Sequence, residues 1–138
     1  MDEGDLRDIK IDRKQLAGIC HRFRINLVVL FGSRAKGWST PDSDYDIGVW
    51  VEDYPFGGDW KIDAAIWGAL ADLLGTDKVD LIVLNKANGF LSWEIAYYGV
   101  PIYQKDPFNF QRFQILALKR LEDMKRIDRW NRRYLNVE

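Results

Sequence analysis

The chain has 138 residues, 47% of them hydrophobic and 14% aromatic, which suits the core of one domain and argues against disorder. Twenty basic and 21 acidic residues give a formal charge of −1, whereas a protein that binds nucleic acid as its main ligand usually has a basic excess. The acidic N-terminus lacks the features of a signal peptide, and the apolar runs are too short to cross a bilayer, so we expect a cytoplasmic protein without a membrane segment.

The first predicted elements are a helix and a strand. A polar start over residues 1–7 precedes a helix that Asp8 or Asp12 caps and that reaches about Arg24. The apolar run at residues 26–31 then indicates a buried strand, which ends at a glycine.

A loop, a second strand and a second helix follow. Residues 32–43 are rich in Gly, Ser and Pro and indicate a loop with room for one helical turn. Residues 44–51 alternate in polarity and predict a strand, and a turn over residues 52–59 follows it. Asp59 is the expected cap of a helix over residues 60–74, which a glycine closes.

The remaining chain predicts two more strands, at residues 78–84 and 100–104, separated by a helix around residues 89–98. Asp106 and Pro107 are expected to open a long helix over about residues 107–135, because proline is favoured in a first turn. The alternation predicts an α/β (α+β) fold with one mixed sheet and flanking helices. We expect a single domain over residues 1–138, with a core at about 8–105.

The single cysteine and the single histidine exclude two kinds of site. Cys20 has no partner for an intrachain disulfide, and we expect it to be a small buried side chain. His21 is the only histidine, so a histidine metal cluster is excluded, and we expect a surface or packing role on the first helix.

Two aspartates on the second predicted strand are candidate metal ligands. Asp44 and Asp46 are two residues apart, so on a strand they face the same way and their carboxylates repel each other. A magnesium ion resolves this repulsion, because Mg²⁺ prefers oxygen ligands and often takes one or two carboxylates together with triphosphate oxygens. Asp80 opens the third strand, and if that strand pairs beside the second, three carboxylates gather and can hold two metal ions.

The loop before these aspartates contains candidate phosphate ligands. Gly32 lets the backbone approach a phosphate closely, and its amide and the Ser33 hydroxyl can donate to phosphate oxygens. Arg34 and Lys36 can neutralise more of the triphosphate charge. Each feature alone is common in surface turns, and only the combination of strand, Gly-Ser and paired aspartates indicates a nucleotide site.

This combination resembles a known family. Gly32-Ser33, ten further residues and Asp44-Tyr45-Asp46 are similar to the signature of the polymerase-β-like nucleotidyltransferase superfamily. The longer motif, Gly-Ser-Arg-Ala-Lys-Gly at residues 32–37 followed by Pro-Asp-Ser-Asp-Tyr-Asp-Ile at residues 41–47, resembles the small stand-alone branch of this superfamily, the minimal nucleotidyltransferases. The similarity extends over roughly residues 15–105. Tyr45 stands where a small aliphatic residue is common, but it should point away from the two aspartates.

The resemblance implies an αβ nucleotidyltransferase core, metal binding at Asp44, Asp46 and Asp80, and phosphate binding at Gly32 and Ser33. Many of these proteins resemble the antitoxin of a pair whose toxin is an all-helical HEPN ribonuclease, and in that system AMP is attached to a tyrosine of the toxin. We therefore expect transfer of AMP from ATP, or of a nucleotide from another triphosphate, with Mg²⁺, to a hydroxyl of a HEPN-type partner.

Two other functions stay open at this point. The acceptor could be a small molecule, as for aminoglycoside nucleotidyltransferases, although 138 residues leave little room for the added domain that these enzymes carry. The chain could also be a non-catalytic antitoxin that binds its partner, although the intact carboxylates argue against a decayed site. A homo-oligomer is compatible with the sequence, and candidates for a general base are Glu52, Asp53 and Glu94.

The last predicted helix is unusually basic. Between Arg112 and Arg133 it has eight basic and three acidic residues, and an apolar stripe runs along it. It can pack on the core with a basic solvent face, or its end around Trp130 can dock on a partner protein or on RNA. We favour a protein with an acidic surface, because the rest of the chain is acidic. Among the six tryptophans, Trp60 and Trp67 are expected to pack against the sheet, whereas Trp38 lies in the candidate loop.

Overall fold

The structure, a computed structural model, describes residues 11–135, so the polar start and the alternative cap Asp8 lie outside the described residues. The elements follow in the order α1 (Arg13–Phe23), β1 (Ile25–Phe31), α2 (Gly32–Lys36), β2 (Tyr45–Val51), α3 (Trp60–Leu74), β3 (Val79–Val83), α4 (Gly89–Tyr98), β4 (Val100–Gln104) and α5 (Asn109–Tyr134). A short 3-10 turn, Leu84–Lys86, joins β3 to α4. The predicted mixed α+β architecture with a long last helix is confirmed.

The four strands of the described residues form one mixed sheet in the order β3-β2-β1-β4. The central strand β1 is antiparallel to both β2 and β4, whereas β2 and β3 are parallel and α3 connects them. Because β1 is covered on both faces, all but one of its seven residues are buried, which explains its continuous apolar run.

Helices cover both faces of the sheet. On one face, α1 and α3 pack over a core that includes Leu16, Cys20, Val28, Leu30, Ile47, Val49, Ile66 and Leu70. On the other face, α4 and α5 pack over Leu27, Val29, Phe31, Leu84, Ile95, Ala96, Phe113 and Ala117. The predicted burial of Cys20 is confirmed, and burial raises the pKa of its thiol to about 12, so the thiol is unreactive at neutral pH.

Two side chains, those of Asn85 and Arg120, hold the turn after β3 in place. The Asn85 side chain accepts from the Val51 amide at 2.9 Å and donates to the Val51 carbonyl at 2.8 Å, which ties the turn to the end of β2. The Arg120 guanidinium of α5 donates to the carbonyls of Leu84 and Asn85, at 2.7 and 2.9 Å. These contacts fix β3 beside β2 and so fix the relative position of the aspartates on the two strands.

The structure selects one of the two predicted caps of α1 and differs from two other expectations. Asp12 is the N-cap of α1, where its carboxylate accepts from two backbone amides, at 3.0 and 3.1 Å. The long helix begins at Asn109 and not at Pro107, because the Asp106 and Asn109 side chains accept backbone hydrogen bonds within a turn that contains the proline. Burial of Trp60 was a wrong prediction, since this side chain is 74% exposed at the start of α3.

No helix within residues 11–135 combines the length and apolar character that crossing a membrane would require.

Candidate active site

The candidate site lies at the edge of the sheet where β1 ends and where β2 and β3 begin. Asp46 on β2 is paired with Asp80 on β3, so the two carboxylates are direct neighbours across parallel strands. On its other side Asp46 is paired with Phe31, the last residue of β1, and the chain turns into α2 at Gly32. The structure therefore brings together Asp46, Asp80 and the Gly-Ser turn, which the sequence places far apart.

Strand alternation decides which way these residues face. Tyr45 and Ile47 pack into the core under α1 and α3, so Asp46 points to the opposite face, on the side of α4 and α5. This agrees with the expectation that Tyr45 points away from the aspartates. Asp44 precedes the first residue of β2 by one position and is exposed. It therefore belongs to the loop before the strand, and this loop determines where its carboxylate lies.

Burial and neighbouring carboxylates change the acidity of Asp46. Burial raises the pKa of Asp46 most, the charges of Asp80 and Asp44 raise it further, and a hydrogen bond with Asp80 adds to the effect. A cation bound by Asp46 and Asp80 would remove the repulsion between these carboxylates.

Gly32 lets the backbone pass directly against Asp46. Its φ of +72° lies in the left-handed region, and a Cβ at this position would stand 2.0 Å from the Asp46 Oδ2 atom. Any other residue would displace the carboxylate. The close approach also leaves the start of α2 beside the carboxylate.

The donor set fits a hard divalent cation. Mg²⁺ needs oxygen ligands and often takes one or two protein carboxylates, with phosphate oxygens and waters completing its octahedral shell. Residues 11–135 contain no preformed cluster of three or more His, Cys, Asp or Glu side chains arranged around one metal position. The pair Asp46–Asp80 with the nearby charge of Asp44 is therefore a partial site, of the kind that a metal–triphosphate complex completes.

Arg34 is held inside the protein. The residue is 9% exposed, and its guanidinium donates to the Ser43 carbonyl at 2.8 and 3.3 Å and to the Thr40 carbonyl at 3.5 Å. It also lies 3.8 Å from the centre of the Tyr45 ring. These contacts fasten the loop that ends at Asp44. We infer that Arg34 positions this loop, a role that competes with the phosphate contact expected from the sequence.

Replacing Arg34 with Met should distinguish these two roles. If Arg34 fastens the loop, the variant leaves the Ser43 carbonyl without its partner and should lose about 1–3 kcal/mol of stability, which a melting experiment would detect. The apparent affinity for MgATP should fall with it, because Asp44 is no longer held. An unchanged melting temperature with a raised KM for ATP would instead show that Arg34 is a phosphate ligand.

The Lys36 side chain also contacts other side chains of the protein. Its ammonium lies 3.4 Å from the Glu94 carboxylate, 4.3 Å from the centre of the Tyr98 ring and 5.5 Å from that of Trp38. Lys36 must give up its contact with Glu94 to reach a phosphate, so its expected role stays a prediction. Trp38 is 75% exposed beside this cluster. The sequence indicates Glu94 only as a candidate general base, and it gives no signal for the contacts of Glu94 and Tyr98 with Lys36, because both belong to a helix far along the chain.

Two of the candidate general bases lie away from the site. Glu52 and Asp53 follow the end of β2, about 20 Å along the strand from Asp46 at 3.3 Å per residue. There Glu52 pairs with Lys105 at 3.0 Å, and Asp53 pairs with Arg24 at 2.8 Å. The structure therefore contradicts the proposal that either one acts as a base. Glu94 lies nearer, but its carboxylate is paired with Lys36.

Comparison with known proteins identifies one matching family model, described as Polymerase beta, Nucleotidyltransferase, which covers residues 14–108. A protein adenylyltransferase, MntA of Aphanizomenon flos-aquae, is 26% identical over 111 residues, which cover 76% of this chain and 74% of MntA. The matched range includes the seven candidate metal and phosphate ligands, which are Gly32, Ser33, Arg34, Lys36, Asp44, Asp46 and Asp80.

Solved structures share the fold. A crystal structure of a toxin–antitoxin with AMP-PNP has a TM-score of 0.69 at 19% identity and covers 91% of this chain and 97% of that chain. A complex of a tri-AMPylated HEPN toxin with its MNT antitoxin, from Shewanella oneidensis, has a TM-score of 0.61 at 19% identity, with 90% and 92% covered. A proposed minimal nucleotidyltransferase has a TM-score of 0.54 at 29% identity and covers 74% of this chain and 97% of its own.

Proposed function

The chain belongs to the polymerase beta nucleotidyltransferase family, and we propose that it transfers AMP from ATP to a hydroxyl of a HEPN-type partner protein. The reaction class follows from the family, whereas the nucleotide, the acceptor and the role as an antitoxin are the proposal. The observation that supports it is the pairing of Asp46 with Asp80 beside Gly32, because two carboxylates next to a close backbone turn suit a metal-bound triphosphate.

Support for the acceptor comes from similar proteins. MntA, which is 26% identical, is a protein adenylyltransferase, and structures with the same fold contain an antitoxin together with a HEPN toxin that bears AMP. A small-molecule acceptor would need a second binding surface. The described residues form one sheet with its covering helices and show no second domain for such an acceptor.

The three aspartates and the Gly-Ser turn each have a role in the proposed reaction. Asp44 and Asp46 would hold the magnesium of MgATP, and Asp80 would help to bind a second metal near the acceptor. When bound, the metal neutralises phosphate charge and lowers the pKa of a coordinated hydroxyl. The amide of Gly32 and the hydroxyl of Ser33 donate to the β- and γ-phosphates. The acceptor hydroxyl loses its proton to solvent and its oxygen attacks the α-phosphorus. The bond from that phosphorus to the bridging oxygen breaks, and pyrophosphate leaves with the electron pair.

Replacing Ser33 with Ala should weaken ATP binding by about 1–3 kcal/mol, the usual cost of losing a hydrogen bond to a charged group. Within residues 11–135 the Ser33 hydroxyl has no hydrogen-bond partner, so the change should leave the fold intact. AMP lacks the outer phosphates and should lose much less affinity. Calorimetric titrations with both nucleotides test this, and Ser39→Ala in the following loop is the matched control. Equal losses for ATP and AMP would show that Ser33 is structural.

The experiment that tests the proposed function is an intact-mass measurement. A HEPN-type protein is incubated with the chain, Mg²⁺ and ATP, and we expect its mass to rise by one or more AMP units on tyrosine. Transfer to a panel of aminoglycosides with no change in the protein would support the small-molecule alternative. Neutralisation of the partner without any mass change would support a non-catalytic antitoxin.

A further inference from the structure

The last part of α5 extends beyond the core. The helix has 26 residues, about 39 Å at 1.5 Å per residue, but its buried residues are Phe113, Ala117 and Leu121, all in its first half. After Leu121 no described residue of α5 is buried. We name residues 125–135 the distal segment. Because no residue of the distal segment is buried, this segment draws little of its stability from the fold. Isolated helices of this length are marginal in water.

The distal segment exposes large apolar side chains. Ile127, Trp130, Tyr134 and Leu135 are between 53% and 63% exposed, and the rings of Trp130 and Tyr134 lie 5.2 Å apart. Four arginines of the same helix, Arg126, Arg129, Arg132 and Arg133, flank these two rings. Exposed aromatic rings surrounded by arginine are typical of the centres of protein interfaces.

The charges of the distal segment are only partly neutralised. Arg126 pairs with Asp123 at 2.6 Å, and Arg132 pairs with Asp128 at 3.2 Å, in both cases within the helix. Arg129 and Arg133, one turn apart, make no ion pair with any residue between 11 and 135. These two cations therefore remain available to a partner.

Charge complementarity indicates what kind of partner fits. Residues 125–133 contain five basic residues and one acidic residue, a net charge of +4 in a chain whose total is −1, so the rest of the chain carries −5. An extended polyanion such as RNA would be repelled by that remainder. A protein with a local acidic patch and an apolar groove meets only the helix and avoids the repulsion.

We propose that the distal segment docks an acidic, apolar groove on the acceptor protein and thereby holds that protein at the enzyme during AMP transfer. This inference rests on the proposed function, because it takes the HEPN-type protein as the acceptor. Docking away from the carboxylates raises the local concentration of the acceptor without taking part in the chemistry. The distal segment therefore contributes to KM for the acceptor and not to kcat.

The test compares two double variants in binding and in transfer. Arg129→Glu with Arg133→Glu reverses the two unpaired cations of the distal segment. Lys14→Glu with Lys61→Glu makes the same change of charge near the starts of α1 and α3, where acidic residues suit a helix. Association with the HEPN-type protein used in the mass measurement is tested at two salt concentrations, together with KM and kcat of transfer and the melting temperature.

We expect the arginine variant to associate at least about tenfold more slowly and with a weaker salt dependence, and to raise KM for the acceptor with kcat unchanged. The lysine variant should stay within about twofold of wild type. Normal binding by the arginine variant would overturn the proposal, as would a wild-type chain that does not bind the HEPN-type protein. Normal protein binding with lost affinity for a 20-nucleotide RNA would make the distal segment a nucleic-acid contact. If the wild type binds that protein but transfers no AMP to it, only the proposed function fails.

Discussion

Replacing Asp46 with Asn should lower AMP transfer by at least about a thousandfold while making the metal-free protein more resistant to heat. Metal stabilisation of the transition state is worth several kcal/mol, and each 1.36 kcal/mol is a factor of ten in rate. The rise in stability follows from titration. Burial and the charges of Asp80 and Asp44 raise the pKa of Asp46 in the folded chain. The folded protein therefore loses stability as the pH rises above the pKa that Asp46 has in the unfolded chain, because the carboxyl must then ionise in the folded site. Asn removes that cost.

A matched control is available in the loop before β2. Asp42 is 93% exposed at its side chain and forms a surface ion pair with Lys78 at 3.6 Å, so Asp42→Asn removes the same charge outside the site. We expect the control to keep transfer within about twofold and to leave the melting temperature nearly unchanged. The two effects are measured by transfer of label from ATP labelled at the α-phosphate and by calorimetric melting without metal. If Asp46→Asn were as active as Asp42→Asn, the assignment of the site would be wrong.

Gly32→Ala should damage both the fold and the reaction. The left-handed φ of +72° costs alanine about 1–2 kcal/mol, and the added Cβ would stand 2.0 Å from Asp46 Oδ2, so the carboxylate must move. A displacement of about 1 Å at a catalytic group can reduce the rate on the order of a hundredfold. We therefore expect a lower melting temperature together with a loss of kcat/KM that folding at low temperature does not restore.

The variant Gly57→Ala distinguishes the effect of backbone strain from the effect of displacing the Asp46 carboxylate. Gly57 has a φ of +85°, a Cβ added there would meet no atom within 4 Å, and the residue follows β2 at the end opposite Asp46. This control should therefore lose a similar amount of stability while keeping kcat/KM close to wild type. Equal losses of activity in the two variants would show that Gly32 acts through general stability and not through Asp46.

The sequence predicts most of the fold because its signals are local. The continuous apolar run of β1, the glycine that follows α3 and the alternation along β2 each identify an element from neighbouring residues alone. The predicted start of α5 is wrong because proline suits both a first helical turn and the turn before it. Here the backbone hydrogen bonds accepted by Asp106 and Asn109 favour the turn.

The candidate site is predictable only in part. Spacing alone indicates that Asp44 and Asp46 act together, but the place of Asp80 depends on which strands pair, and the parallel register of β2 and β3 decides it. The contacts of Arg34 with Ser43 and of Lys36 with Glu94 depend on tertiary folding. A basic residue beside a Gly-Ser turn indicates a phosphate ligand in the sequence, whereas the structure gives each of these two side chains a protein partner.

The most direct test of the account is a calorimetric titration with a non-hydrolysable ATP analogue, with and without Mn²⁺ as a stand-in for Mg²⁺. If Asp44 and Asp46 hold the metal of the nucleotide, wild type and Asp42→Asn should bind the analogue tightly only when the metal is present. Asp46→Asn should bind it equally weakly in both conditions, at the metal-free level of wild type. Metal-dependent binding by Asp46→Asn with the affinity of wild type would contradict the central claim that these carboxylates form the metal site.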